Sequence, residues 1–292
     1  MRYENNVSRI SENQVNLKSL LPLIILCAAT WFGWAAEPVL RDRAEVEAIL
    51  AKSKPANPPA ALKTLNVLLV SGVKDHGPNE HDYPRWLEKW KELFGKAASV
   101  HLTTSFGWPR AEDWQGVDVV VFYCRNTWAA EQLKDLDAYL EKGGGVVAIH
   151  TALCPPAKNA DELATRLGYA WKDGKTKFRH GALDLKFTAP ADNPIVGGLG
   201  DIHFVDETYW NFTGQPKGIE VLATAEEDKA PQPIIWTYPS GKGKVFVSVL
   251  GHFIWTFDDP YFRLITLRGI AWAAGEDARR FDGLVTDGVI WK

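Results

Sequence analysis

The sequence predicts an α/β protein: a doubly wound, mostly parallel sheet with helices on both faces and a strand-rich C-terminal portion. Three observations carry this. Residues 65–70 (LNVLLV), 117–123 (VDVVVFY) and 146–149 (VVAI) are near-continuous apolar runs, the pattern of strands covered on both faces. Amphipathic stretches of helical period alternate with them, giving the β-α-β-α-β order that right-handed crossovers join into a parallel sheet. Further short apolar runs follow in the second half without such helices between them.

Taken in order, residues 41–52 (RDRAEVEAILAK) have helical composition, with Val46, Ile49 and Leu50 on one face. Residues 53–61 (SKPANPPAA) read as a Pro/Ala linker. The main domain is therefore placed at 62–276, after a helix-plus-linker segment 36–61 and before a surface tail 277–292. The first strand ends at Ser71-Gly72. The loop after it, residues 73–83 (VKDHGPNEHDY), is long and polar for a strand-to-helix connection, a place where function often sits. Residues 84–97 form a helix with Trp86, Leu87, Trp90 and Phe94 inward and Pro84 in its first turn. Residues 99–103 form the second strand, and the third runs into Cys124-Arg125-Asn126. A helix over 129–142 turns Leu133, Leu136, Tyr139 and Leu140 inward.

Gly143, Gly144 and Gly145 end that helix, and His150 stands where the following strand must turn. The small residues Ala148 and Ala152 flank it, as a sharp strand-to-helix elbow requires. The carboxyl end of a parallel strand is also where open α/β sheets bind ligands. A short helix at 160–167 precedes a polar loop at 168–181, which holds Trp171, Arg179 and His180. Strands are expected at 183–187, 203–209, 219–224, 234–238 and 245–250, and a closing helix at 261–274. Residues 245–252 (VFVSVLGH) repeat the pattern of an apolar strand ending in histidine.

With 46% hydrophobic and 24% charged residues the chain is an ordinary globular composition. A net charge of −3 without a basic run gives no footprint for nucleic acid. Arg2, Arg9 and Lys18 precede an apolar stretch at 20–29 and a small-residue exit ending Gly33-Trp34-Ala35. That leader reads as a secretory signal over 1–35, implying a periplasmic or extracellular protein that meets the membrane only through this segment if it stays uncleaved. Removal would leave Cys124 and Cys154, for which a disulfide and two buried thiols are both open readings.

Polar groups at the predicted strand ends carry the chemistry. His76, His81, Arg125, His150, Glu207 and His252 lie on strand ends or their loops, and parallel topology points such ends to one sheet edge. A single histidine there would ordinarily be a satisfied polar residue; several at one edge, out of 7 in the chain, point to a site. Two chemistries fit. His81, His150 and His252, with a carboxylate such as Glu207, Asp206 or Asp82, are ligand types for a divalent transition metal, although no compact ligand motif is present. Without metal, His150, His252 and Glu207 would serve as acid/base groups. His76, His81, Arg125, Tyr209 and Trp255 are the substrate-binding candidates. The 13 Trp, several near strand ends, suit a sugar's mixed CH and OH faces, with Trp255 as the expected pocket wall.

The run GGGVVAIHTA (143–152), the segment HFVDETYW (203–210) and the stretch GKGKVFVSVLGH (241–252) resemble the ThuA-like (trehalose utilisation) family. The His76-Gly77-x-x-x-His81 loop resembles one branch of it. The resemblance covers roughly residues 65–275. It implies a flavodoxin-like sheet related to class I glutamine amidotransferases, which carry a cysteine at the elbow and a His-x-Glu pair after a late strand. Here the elbow is His150, and Phe253-Ile254 follow His252, so glutamine hydrolysis is not expected. The family's link to sugar utilisation implies a small-molecule carbohydrate, such as a 3-keto-disaccharide or glycoside, that is cleaved or isomerised. The competing class is a non-catalytic sugar-binding or scaffold protein that kept the shell and lost the nucleophile.

Overall fold

A computed structural model describes residues 37–52, 62–214 and 217–292. The leader read over 1–35 and the linker read over 53–61 lie outside the described residues. In chain order the elements are α1 (Arg43–Lys52), β1 (Leu65–Ser71), α2 (Tyr83–Phe94), β2 (Val100–Phe106), β3 (Val119–Phe122), α3 (Ala130–Leu140), β4 (Gly145–Ile149), α4 (Ala160–Leu167), β5 (Lys177–Phe187), β6 (Ile202–Trp210), β7 (Glu220–Glu227), β8 (Ala230–Ser240), β9 (Gly243–Ser248) and α5 (Pro260–Ala273). Among the described residues no helix is long and apolar enough to cross a membrane.

The strands form one nine-stranded sheet in the order β2-β1-β3-β4-β9-β8-β7-β5-β6. From β2 to β9 every pairing is parallel. With β9 counted as the fifth strand this is the flavodoxin-like order 2-1-3-4-5. Every residue of β3 and β4 is buried, as their unbroken apolar sequence requires for strands sandwiched between helices. At the sheet edge β2 alternates partly buried with exposed residues, so hydrophobicity marks it less clearly. Helix α5 packs against the start of β4 so closely that a Cβ on Gly145 would lie 2.4 Å from the Ala273 carbonyl oxygen. The strand-rich C-terminal portion extends the same sheet by antiparallel pairings, β9-β8-β7-β5-β6.

Three departures from the sequence reading bear on the site and on the domain bounds. Strand β5 starts at Lys177, not at 183, so Arg179 and His180 stand on a strand and not in the polar loop. The residues read as a surface tail cover α5: Phe281, Leu284 and Val285 are buried, and Asp282 holds the buried Arg268 guanidinium at 3.0 and 2.7 Å. The domain also extends upstream of Leu62. Val46 on α1 is fully buried, and Arg41 donates to Asp259 Oδ2 at 2.7 Å and to the His203 carbonyl at 2.7 Å. Ala36–Lys292 accordingly form one compact unit.

Candidate functional site

Four chain segments meet at the carboxyl edge of the parallel strands. His150 follows β4 directly, in a 3-10 turn at His150–Leu153. Its φ of +53° is a strained conformation for a residue with a Cβ, of the kind that accumulates at functional sites. His252 follows β9 after Gly251, whose φ is +128° and whose added Cβ would lie 2.9 Å from Ile149 Cγ2 and 3.3 Å from His150 Cβ. Glycine therefore allows the two histidine-bearing turns to touch. The β1–α2 loop brings His81, and a short antiparallel bridge sews that loop to the β9 turn. His81 N donates to the His252 carbonyl at 2.9 Å, and Ile254 N to the Asn79 carbonyl at 2.8 Å. Glu207 arrives from β6, opposite His180 of β5 in the hairpin register.

The donor atoms converge closely. His81 Nε2 lies 2.9 Å from His150 Nε2 and 3.0 Å from His252 Nδ1. Glu207 Oε2 lies 3.1 Å from His150 Nε2 and 3.1 Å from His252 Nδ1. All four residues are buried. Protons are scarce in this cluster. His150 Nδ1 donates to the Val249 carbonyl at 2.6 Å, and His81 Nδ1 to Asp75 Oδ1 at 2.9 Å, so in the neutral rings each Nε2 presents a lone pair. Two lone pairs and a carboxylate oxygen thus face one another. The nearby protons that remain are the Tyr209 hydroxyl, 3.0 Å from His150 Nε2, and whichever nitrogen of His252 carries its hydrogen. His252 Nε2 is buried without a hydrogen-bond partner, with Glu80 Oε1 3.6 Å away.

A buried set of converging acceptors calls for a positive charge at its centre. Three imidazole nitrogens and one carboxylate oxygen are the donor set of a divalent transition metal. Ligands about 2.1 Å from one ion stand roughly 3.0–3.4 Å apart at right to tetrahedral angles, close to the separations here. The remote nitrogens of His81 and His150 are engaged by a carboxylate and a carbonyl, the outer contacts that fix tautomer and orientation in ligating histidines. Asp75 Oδ1 accepts from His81, from His76 Nδ1 at 3.0 Å and from the Tyr83 hydroxyl at 3.1 Å. It therefore orients His81 and is spent as a ligand.

Electrostatics follow from this packing. Burial pushes the His81 imidazole down to about 3, against the hydrogen bond to Asp75. Burial would raise Glu207, but the His150, His180 and His252 rings packed against it outweigh that and hold the carboxylate below its usual range. The His180 ring, 2.9 Å from Glu207 Oε1, is raised by that bond, with partial burial opposing it. Burial keeps the Tyr209 phenol well above its ordinary value, and so protonated. Behind the site, fully buried Asp206 accepts from Glu207 N at 2.7 Å, His252 N at 2.9 Å, Gly251 N at 3.1 Å and Thr256 Oγ1 at 2.6 Å. It locks the His252 turn to the strand that carries Glu207.

The cluster opens into a cleft of about 790 Å³ that Asp75, His76, His81, Arg125, Trp171, His180, Glu207 and Tyr209 help to line. The structure thus brings together His76, His81, Arg125, His150, Glu207, Tyr209 and His252. Arg125 is half-exposed, with Nε 3.5 Å from Asp75 Oδ2. Trp255 is not the cleft wall. A 3-10 helix at Ile254–Asp258 carries it away to stack on Phe253 at 4.3 Å, and it lines a different groove. Trp171, 5.0 Å from Tyr209 ring to ring, takes that place. Of the carboxylates weighed from sequence, Asp206 stands behind the ligands with both oxygens engaged and Asp82 caps α2; Asp75 and His180 were not singled out. Only the β5–β6 register, in which His180 faces Glu207, shows that His180 belongs to the site. Cys124 and Cys154 are buried and form no disulfide, and burial pushes both thiols up to about 12. That removes a thiolate nucleophile from the cleft.

The sequence model of the ThuA family, described as trehalose utilisation, matches residues 66–273. No curated protein matches the chain. Among solved structures, a ThuA-like protein of Parabacteroides merdae superposes with TM-score 0.55 at 22% identity, over 74% of this chain and 92% of that one. A ThuA-like protein of Bacteroides uniformis gives TM-score 0.57 at 17% identity, over 77% and 98% of the two chains. At such identities these two matches speak to the fold.

Proposed function

The chain belongs to the ThuA (trehalose utilisation) family, and from that premise we propose that it acts on a small carbohydrate with a divalent metal held by His81, His150, His252 and Glu207. The family gives the carbohydrate-related role. The reaction, cleavage or isomerisation of a glycoside or 3-keto-disaccharide, is our reading of the site. The observation that carries it is the convergence of three imidazole nitrogens and one carboxylate oxygen at 2.9–3.1 Å on the floor of an aromatic-lined cleft.

A divalent ion supplies Lewis acidity toward a substrate carbonyl or hydroxyl oxygen. The chain's own groups do the rest. Asp75 and the Val249 carbonyl hold the His81 and His150 rings with their lone pairs inward. His180, half-exposed to the cleft, keeps a proton on Nε2 beside Glu207 Oε1 and is placed to hand it to a departing oxygen. The Tyr209 hydroxyl donates at the His150 side of the floor. Arg125 binds substrate oxygens at the rim, and Trp171 offers its flat face to a sugar ring.

The test is turnover. Protein stripped with chelator and reloaded with zinc, manganese or cobalt is offered 3-keto and unoxidised glycosides, with His150→Ala as the control. Metal-dependent product formation that the variant loses supports an enzyme. Graded sugar binding without turnover in any metal form would instead favour the binding-protein reading. We also propose export, on the strength of the basic-apolar-small leader at 1–35. An extracytoplasmic product beginning at Ala36 would bear that out, and a cytoplasmic product that retains the leader would refute it.

A further inference from the structure

The cleft's mouth differs from its floor. Six large hydrophobic side chains are exposed among the described residues, and three of them, Val73, Phe106 and Phe178, line this one cleft at 73%, 63% and 55% exposure. Folding does not require them to face water, and exposed apolar groups that ring a site mark what the site binds.

Their placement is continuous with the metal-ligand cluster. The Tyr209 ring stacks on His150 at 4.9 Å, Trp171 meets Tyr209 at 5.0 Å, and Phe178 meets Trp171 at 6.0 Å. An aromatic wall therefore runs from the floor outward to the mouth. Phe106 and Val73 sit at the ends of neighbouring strands, where Gly107 N donates to the Ser71 carbonyl at 2.7 Å. The polar side chains Asp75, His81 and Glu207 gather further in, and Arg125 is the charged group left at the rim. A cleft of about 790 Å³ falls in the range that buries a drug-sized ligand, larger than one hexose ring.

Resting on the carbohydrate reading above, we propose that the substrate is a glycoside whose sugar lies on the polar floor and whose aglycone is apolar, aryl or alkyl, packed between Phe178 and the Phe106–Val73 side of the mouth. A second sugar in that position would meet few hydrogen-bonding partners on these three side chains. An apolar group there is removed from water on both sides, worth roughly a few-fold in affinity for each buried methylene. The concave setting and its continuity with the floor favour a small molecule over a partner surface.

The test is calorimetric titration of the metal-loaded full chain with methyl, phenyl and octyl glycosides of glucose and galactose, below micelle-forming concentration. The same titrations are run on Phe106→Ser, Phe178→Ser and the double variant. The expected result is phenyl and octyl binding more than tenfold tighter than methyl, with that ratio falling below threefold in the double variant. Methyl glycoside bound as tightly as phenyl and octyl overturns the aglycone assignment and leaves the carbohydrate reading standing. A ratio that survives both substitutions also overturns it. Binding of none of these glycosides, nor of their 3-keto forms, refutes the carbohydrate reading and this inference with it. Light scattering that shows a native dimer become a monomer in the double variant, with no aglycone preference, would reassign the rim to contact between copies of the chain.

Discussion

Asp206→Asn is the perturbation whose cost can be worked out most directly. The fully buried carboxylate receives two backbone N–H groups on Oδ1, from Glu207 and His252, and Gly251 N–H with the Thr256 hydroxyl on Oδ2. Asparagine keeps one oxygen. With that oxygen toward Glu207 and His252, its amide nitrogen faces the Gly251 N–H, donor against donor, while the Thr256 hydroxyl can rotate to accept. One buried N–H is left unsatisfied, at about 1–3 kcal/mol, and the remaining bonds lose their charge assistance. A loss of ~2–4 kcal/mol follows, or roughly 4–16 °C in Tm for a domain of this size. Because the bonds in question set the His252 turn, metal affinity should fall about 10–100-fold, as it does when contacts behind a ligand are removed. Urea unfolding with and without chelator, together with competitive metal titration, measures both. Thr256→Val, which removes one of the four donors, should have a smaller effect on both. Unchanged stability and unchanged metal affinity in Asp206→Asn would refute the reasoning.

Other consequences are simpler. In chelator-treated protein, stability should be full above pH 6.5 and fall as pH drops toward 3. Below 6.5 the unfolded chain takes up a proton on His81 that the folded chain, with this ring lowered to about 3, does not. The loss is at most about 1.4 kcal/mol per pH unit from this group, and urea midpoints across that range measure it. Cys124 and Cys154, buried and pushed up to about 12, should resist a thiol reagent at pH 8 in the native state and both react in denaturant; rapid native labelling would contradict their burial. Gly145→Ala forces a Cβ to 2.4 Å from the Ala273 carbonyl and should cost about 1–3 kcal/mol by overpacking, read as a lower Tm.

Much of the fold was legible because its strands are buried on both faces. The four residues of β3 and the core of β4 have nothing but apolar side chains to show, and α4 was placed at 160–167, where it lies. The start of β5 was not legible. Lys177 to His180 are all exposed, so neither alternation nor an apolar run marks them. In β8, Pro231 and Pro233 hid the first residues of a strand that lies opposite an irregular stretch of β7. The site histidines were visible since parallel topology alone sends the ends of β1, β4 and β9 to one edge. His180 and Asp75 were not, because their roles depend on hairpin register and on a loop's path. Trp255 was misplaced for a related reason: the 3-10 helix that begins at Ile254 turns its side chain away from the cleft that His252 faces.

The most direct test of the central claim is the metal content of protein purified without chelator, by elemental mass spectrometry, beside His150→Ala and His252→Ala. The site predicts close to one divalent transition metal ion per native chain, and on the order of a tenth or less in each variant, which has lost one of the four ligands. Native chain that carries no such ion and takes none up on titration would contradict the account, as would variants that hold metal as well as the native chain does.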